Sequence, residues 1–175
     1  TNGPSNYGAK FYGDLKGFKS SFKSTNSDWG LSGISAATSD DSTTLKVYSN
    51  NHTFDSYQFN KIRLYFRDDS DAYTISLRAD KVDSVVVVND VYGCFKTFKT
   101  QELTDTVYFT FKKRSLSPNA SFLIQGIELL NDAPGITYSE VGVNGAEVKS
   151  FLRCQDFTSQ LATVNPDLVV VSLGT

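Results

Sequence analysis

In Lys61-Ile62-Arg63-Leu64-Tyr65-Phe66-Arg67, Ile62, Leu64 and Phe66 fall on one side of an extended chain and Lys61, Arg63 and Arg67 on the other. A period of two is incompatible with a helix, so this segment is a strand that must bury one face. The pattern recurs along the chain. Leu45 and Val47 alternate with Lys46 and Tyr48, Tyr73, Ile75 and Leu77 with Thr74, Ser76 and Arg78, and Val107, Phe109 and Phe111 with Tyr108, Thr110 and Lys112. Residues 85–88 form a continuously apolar strand.

Turn chemistry falls between these runs, at Asp40-Asp41-Ser42, Asn50-Asn51, Asp68-Asp69-Ser70-Asp71, Asn89-Asp90 and residues 115–119 with their proline. In Phe122-Leu123-Ile124-Gln125-Gly126-Ile127-Glu128-Leu129 the alternation slips at Gly126, and a bulge there would keep Phe122, Ile124, Ile127 and Leu129 on one face. Short alternating strands without a helix between them predict an antiparallel β-sandwich or jelly roll over residues 7–130. Residues 1–25 are rich in Gly, Ser, Asn and Lys with spaced aromatics, and residues 1–6 read as a connector.

After the Asn131-Asp132-Ala133-Pro134-Gly135 linker the text changes. Residues 136–141 read as a strand and Gly142-Val143-Asn144-Gly145-Ala146 as a tight turn. A helical pattern follows on Val148, Phe151, Leu152, Phe157, Leu161 and Val164, stopped by Asn165-Pro166. Residues 168–171 are then a strand apolar on both faces, as in a parallel sheet covered by helices. One βαβ unit cannot stand alone, because such a strand needs neighbours on both sides. With no methionine in the chain, the expectation is a piece of a longer protein.

The turn and the later Asn165-Pro166-Asp167-Leu168-Val169-Val170-Val171-Ser172-Leu173-Gly174-Thr175 resemble the second and third sequence blocks of the SGNH (GDSL-like) hydrolases. Thr1-Asn2-Gly3-Pro4-Ser5-Asn6-Tyr7 resembles a segment that follows the first block in bacterial members. The resemblance implies a mainly β chain, with a carbohydrate-binding-module-like sandwich (7–130) inserted into a flavodoxin-like α/β domain represented by residues 131–175. It further implies a secreted, periplasmic or outer-surface bacterial esterase, similar to peptidoglycan O-acetylesterases, that removes O-acetyl groups from a polysaccharide. Its partners would be the acetylated glycan and the remainder of the same domain. Gly145 would lend its N–H to the oxyanion, with Asn144 shaping the turn; alternatively both residues only permit a tight strand-to-helix corner. The serine nucleophile and the Asp and His would lie outside this chain, which is therefore expected to be inert alone. A non-catalytic carbohydrate-binding or adhesion module is the competing reading.

Other classes find little support. A net charge of −2 from 17 basic and 19 acidic residues gives no basic surplus for nucleic acid. An aromatic content of 13% and a hydrophobic content of 39% exclude a disordered chain, and no apolar run reaches the roughly 20 residues of a membrane span. One histidine, His52, in an Asn-rich turn, and two distant cysteines, Cys94 and Cys154, give no zinc spacing and no disulfide framework, so no cofactor is expected. The acidic turn of Asp68, Asp69 and Asp71 reads as a charged turn before a Ca²⁺ loop. Asn51-His52-Thr53 and Asn119-Ala120-Ser121 match the short glycosylation pattern. Trp29, Tyr48, Tyr65 and Tyr108 are read first as cross-strand or interdomain packing and second as a glycan platform.

Overall fold

The computed structural model describes residues 6–50, 57–68, 71–80, 85–89, 95–114 and 119–172. His52 with its Asn51 pattern, Asp69, Cys94, residues 1–5 and Leu173-Gly174-Thr175 lie outside them.

Ten strands are described: β1 (Tyr7–Tyr12), β2 (Lys16–Lys19), β3 (Ile34–Thr38), β4 (Ser42–Ser49), β5 (Phe59–Arg67), β6 (Tyr73–Ala79), β7 (Val85–Asn89), β8 (Phe95–Thr104), β9 (Thr106–Lys113) and β10 (Phe122–Leu130). They form a four-stranded sheet in the order β1-β4-β9-β6 and a six-stranded sheet in the order β2-β3-β10-β5-β8-β7. Every pairing is antiparallel. The architecture is thus mainly β, with two sheets and two short helices, α1 (Val148–Leu152) and α2 (Phe157–Val164).

The alternation decides which face each strand turns inward. Leu45, Val47, Val107, Phe109 and Phe111 from one sheet meet Ile62, Leu64, Phe66, Phe98 and Phe122 from the other in a single buried core. Phe111 stacks on Phe122 with ring centroids 4.8 Å apart, and Phe98 meets Phe109 edge-on at 5.6 Å. These rings are among the largest apolar surfaces in the chain, so their burial supplies much of the drive for the sheets to close face to face. In β10 the register against β5 shifts between Ile124 and Gly126, so that Gln125 is the extra residue. Ile124, Ile127 and Leu129 accordingly stay opposite Phe66, Leu64 and Ile62, as the slipped alternation requires.

The segment after residue 130 departs from expectation. Residues 136–141 and 168–171 carry no strand pairing, and their apolar side chains face solvent: Ile136 is 98% exposed and Val170 79%. The predicted βαβ unit is therefore not formed. Neither run lies in a sheet that could complete its hydrogen-bond ladder, and a buried parallel strand requires one. The single helical pattern is also split, at residues 153–156, into α1 and α2. Its predicted end holds: Asn165 adopts the left-handed conformation at φ 50° and caps α2 by donating its N–H to Leu161 O.

Candidate functional site

The corner proposed from sequence is a β-turn. Ala146 N–H donates to Val143 O at 2.9 Å, with Asn144 and Gly145 as the central pair and Gly145 at φ +77°. A positive φ at the third turn position is the type II requirement that glycine meets without strain. Asn144 and Gly145 are exposed, whereas Val143 is buried and packs toward Gly33, where an added Cβ would come within 2.9 Å of Val143 Cγ2. Val143 thus anchors the turn to the sandwich and leaves its tip in solvent. Among the described residues neither Asn144 N–H nor Gly145 N–H meets an acceptor, so both donors are open to an anion or to water. Beside the turn runs a shallow groove lined by Lys23, Glu147, Lys149, Ser150 and Arg153. Ser150 Oγ accepts the Glu147 N–H at 3.2 Å and so fixes the entry into α1.

What holds the helices after this corner in place is a polar joint that sequence reasoning did not anticipate. Asp156, just before α2, accepts two hydrogen bonds from the Arg67 guanidinium, each 2.8 Å, and one from Gln125 Nε2 at 2.7 Å. Gln160 Nε2 donates to Gln125 Oε1 at 2.8 Å, and Gln160 Oε1 accepts from Leu31 N–H at 2.8 Å. Asp156 N–H reaches Trp29 O at 3.2 Å. Burial alone would push the Asp156 carboxyl up, but the Arg67 and Gln125 hydrogen bonds and the Arg67 charge outweigh it and hold it below the ordinary value of 3.8. Arg153 closes the other side. It donates to Ser20 O, Phe22 O and Thr25 O, and its guanidinium lies 4.9 Å from the Trp29 ring.

The helices therefore dock with a mainly polar face. Ser150, Cys154, Asp156 and Gln160 are buried, while Val148 and Leu152 point outward at 57% and 79% exposure. Cys154 is a free thiol that burial pushes up, and the other cysteine lies outside the described residues. The one sequence signal for the joint was Gln125, an uncharged polar residue at the phase slip of an apolar strand.

A second polar cluster lies on the same outer sheet face. Glu128 Oε2 accepts from Arg63 at 2.6 Å and from the Tyr65 hydroxyl at 3.1 Å. Burial raises the Tyr65 hydroxyl to about 12, with the Arg63 hydrogen bond opposing and the Glu128 charge reinforcing the shift. Trp29 and Tyr65 are buried, so packing rather than a glycan platform is their role. Tyr48 and Tyr108 instead lie half-buried on the outer face of the four-stranded sheet. The acidic turn is engaged internally: Asp68 accepts from Ala72 N–H and Tyr73 N–H at 2.8 and 2.9 Å, and Asp71 pairs with Arg114 at 2.8 Å. Among the described residues no group of acidic, His or Cys side chains is arranged to hold a metal ion, and no helix is long and apolar enough to cross a membrane. Compared with known proteins, the chain matches no protein-family model and no curated protein.

Proposed function

We propose that this chain supplies the oxyanion corner and an accessory β-sandwich to an SGNH-type serine acyl hydrolase that removes O-acetyl groups from a cell-wall or other polysaccharide. The observation that carries the reading is the exposed Gly145 corner flanked by two exposed apolar runs, 136–141 and 168–171. In such an enzyme those runs are neighbouring parallel strands of the catalytic domain, and the outward side chains of Val148 and Leu152 cover that sheet. The remainder of that domain is then the partner, residues 1–6 the connector into the sandwich and residues 131–175 the return. A secreted, periplasmic or outer-surface location goes with a cell-wall substrate.

The chemistry is acyl transfer. A histidine takes the proton of a serine hydroxyl, whose oxygen bonds to the ester carbonyl carbon. Negative charge then collects on the carbonyl oxygen, where Gly145 N–H donates to it and Asn144 shapes the turn. Collapse breaks the ester C–O bond, and the sugar hydroxyl leaves with the proton from histidine. Water then releases acetate by the same steps in reverse.

This chain alone is expected to turn over a chromogenic acetate ester no faster than a boiled control, and turnover by the pure chain would overturn the reading. The coding sequence on either side should contain Gly-Asp-Ser upstream and Asp-x-x-His downstream. In the longer protein, Gly145→Ala keeps the backbone N–H but strains the φ +77° corner that aims it, and should lower kcat, at most by the ~10²- to 10³-fold that losing one oxyanion donor costs, with KM little changed. Unchanged kcat would remove the corner from the mechanism. The second reading, a non-catalytic carbohydrate-binding or adhesion module, is favoured by the aromatic and cationic outer face of the four-stranded sheet.

A further inference from the structure

Four strands place one row of side chains side by side on the solvent face of the smaller sheet. Lys10 pairs across to Lys46, Lys46 to Tyr108, and Tyr108 to Arg78. The two lysines sit on neighbouring strands, about 5 Å apart at the backbone, and Arg78 is two strands further on, about 10 Å away. Lys46 Nζ is held between two rings, 5.0 Å from the Tyr48 centroid and 5.6 Å from that of Tyr108. The Arg78 guanidinium lies 4.1 Å from the Tyr108 ring, and Lys10 Nζ is 5.9 Å from Tyr48.

The Tyr48 ring itself lies over Gly8, where an added Cβ would meet the ring at 2.6 Å. Two residues along the strands a row of hydroxyls runs parallel to the cations, contributed by Thr44, Thr110 and Ser76. The helices dock on the other sheet, through Arg67 and Gln125, and Lys10, Ser76 and Arg78 of this face are exposed.

The balance of charge here differs from that of the whole chain. Among the described residues Lys10 and Lys46 have no carboxylate partner, and Arg78 has one, Asp80, at 3.0 Å. Aromatic rings thus position Lys10 and Lys46, which no carboxylate among the described residues neutralises, on a strip edged with hydroxyls.

We propose that this strip binds an anionic polysaccharide, a sugar chain carrying carboxylates at intervals, with Lys10 and Lys46 taking the carboxylates and the hydroxyl row bonding to the sugar hydroxyls. Charge complementarity selects an anionic partner. The sparse cations suit a polymer with charges at intervals better than a nucleic acid with a phosphate at every residue. The ring faces of Tyr48 and Tyr108 are already engaged by Lys and Arg, whereas single strands of nucleic acid need free rings on which to stack. The inference rests on the glycan-directed part of the proposed function and not on acyl transfer. Binding is read without turnover, so either can fail alone.

The test is native affinity electrophoresis of the whole chain through gels containing polygalacturonate, compared with the same polymer fully methyl-esterified. The expected result is retardation by polygalacturonate that fades with added salt and is absent with the ester. The double substitution Lys10→Gln/Lys46→Gln should weaken binding by about tenfold or more. Lys10→Arg/Lys46→Arg should retain it, and the near-ultraviolet circular dichroism of both variants should match the parent. No retardation by polygalacturonate, or retardation untouched by the double Gln substitution, would overturn the proposal. So would a single-stranded oligonucleotide bound as tightly as polygalacturonate, which would mark a surface for nucleic acid or for polyanions in general.

Discussion

Asp156 shows how one residue can carry a joint between distant parts of a chain. Its carboxylate holds Arg67 from β5 and Gln125 from β10, and its backbone N–H reaches Trp29 O. Asp156→Ala is expected to cost about 2 to 3 kcal/mol in urea unfolding, less than the ~3–5 of a fully buried pair because Arg67 keeps over a third of its side chain in water. The pH dependence follows from the lowered carboxyl. A carboxylate whose folded value lies below its unfolded one stabilises fully above the ordinary aspartate value of 3.8, and that contribution is lost as pH falls through the lower folded value. Stability of the parent should therefore drop more steeply on acidification below that point than stability of Asp156→Asn, and parallel curves would remove Asp156 from the joint's energetics. None of this was visible in the sequence, where Asp156 is one acidic residue in a helical pattern. Gly145 was visible, because a glycine after Asn in a short loop signals the positive φ it adopts.

At the scale of elements, the strands with clean alternation were legible: β4, β5, β6, β9 and β10 stand where period two put them. The strands β2 and β3 were not. Lys16–Lys19 and Ile34–Thr38 are short and rich in Lys, Ser and Ala, and their strand pairing is set by neighbours, β3 beside β10 and β2 at the sheet edge. The helices were misjudged in a different way. They were read as one pattern from its apolar positions, yet there are two and the face that docks is mainly polar, and Gln160 lies where a side chain at Gly30 would stand. Gly30→Ala is accordingly expected to destabilise by about 1 to 3 kcal/mol, the range for forcing extra volume into a packed site. Gln160→Ala in the same background should cost less than the sum of the two single changes, since it removes the obstructed group. A strictly additive double-mutant cycle in denaturant unfolding would show that the two residues do not compete for that space.

The whole molecule presents two very different outer surfaces. The four-stranded sheet shows charge, rings and hydroxyls, while the C-terminal segment shows Ile136, Val148, Leu152 and residues 168–171 to solvent. An exposed apolar run of this kind is a candidate docking surface. Val169→Asp with Val171→Asp should leave stability within about 0.5 kcal/mol of the parent, because both side chains are mostly exposed. The same change should lower the binding of an apolar fluorescent dye. A large loss of stability would mean that the segment packs onto the sandwich in solution.

By itself the sequence determined the period of β4, β5, β6, β9 and β10, hence which of their residues would be buried, the bulge that keeps β10 in phase, and the turn at Gly145. These are local consequences of side-chain direction and backbone sterics, readable within ten residues of chain. Only the tertiary structure decided which sheet each strand joins and that Trp29 and Tyr65 are buried while Tyr48 and Tyr108 stay half-exposed. It also decided that Lys10, Lys46 and Arg78, far apart in sequence, share one row. Those outcomes depend on pairings between residues tens of positions apart, and no periodicity records which strand will be the neighbour.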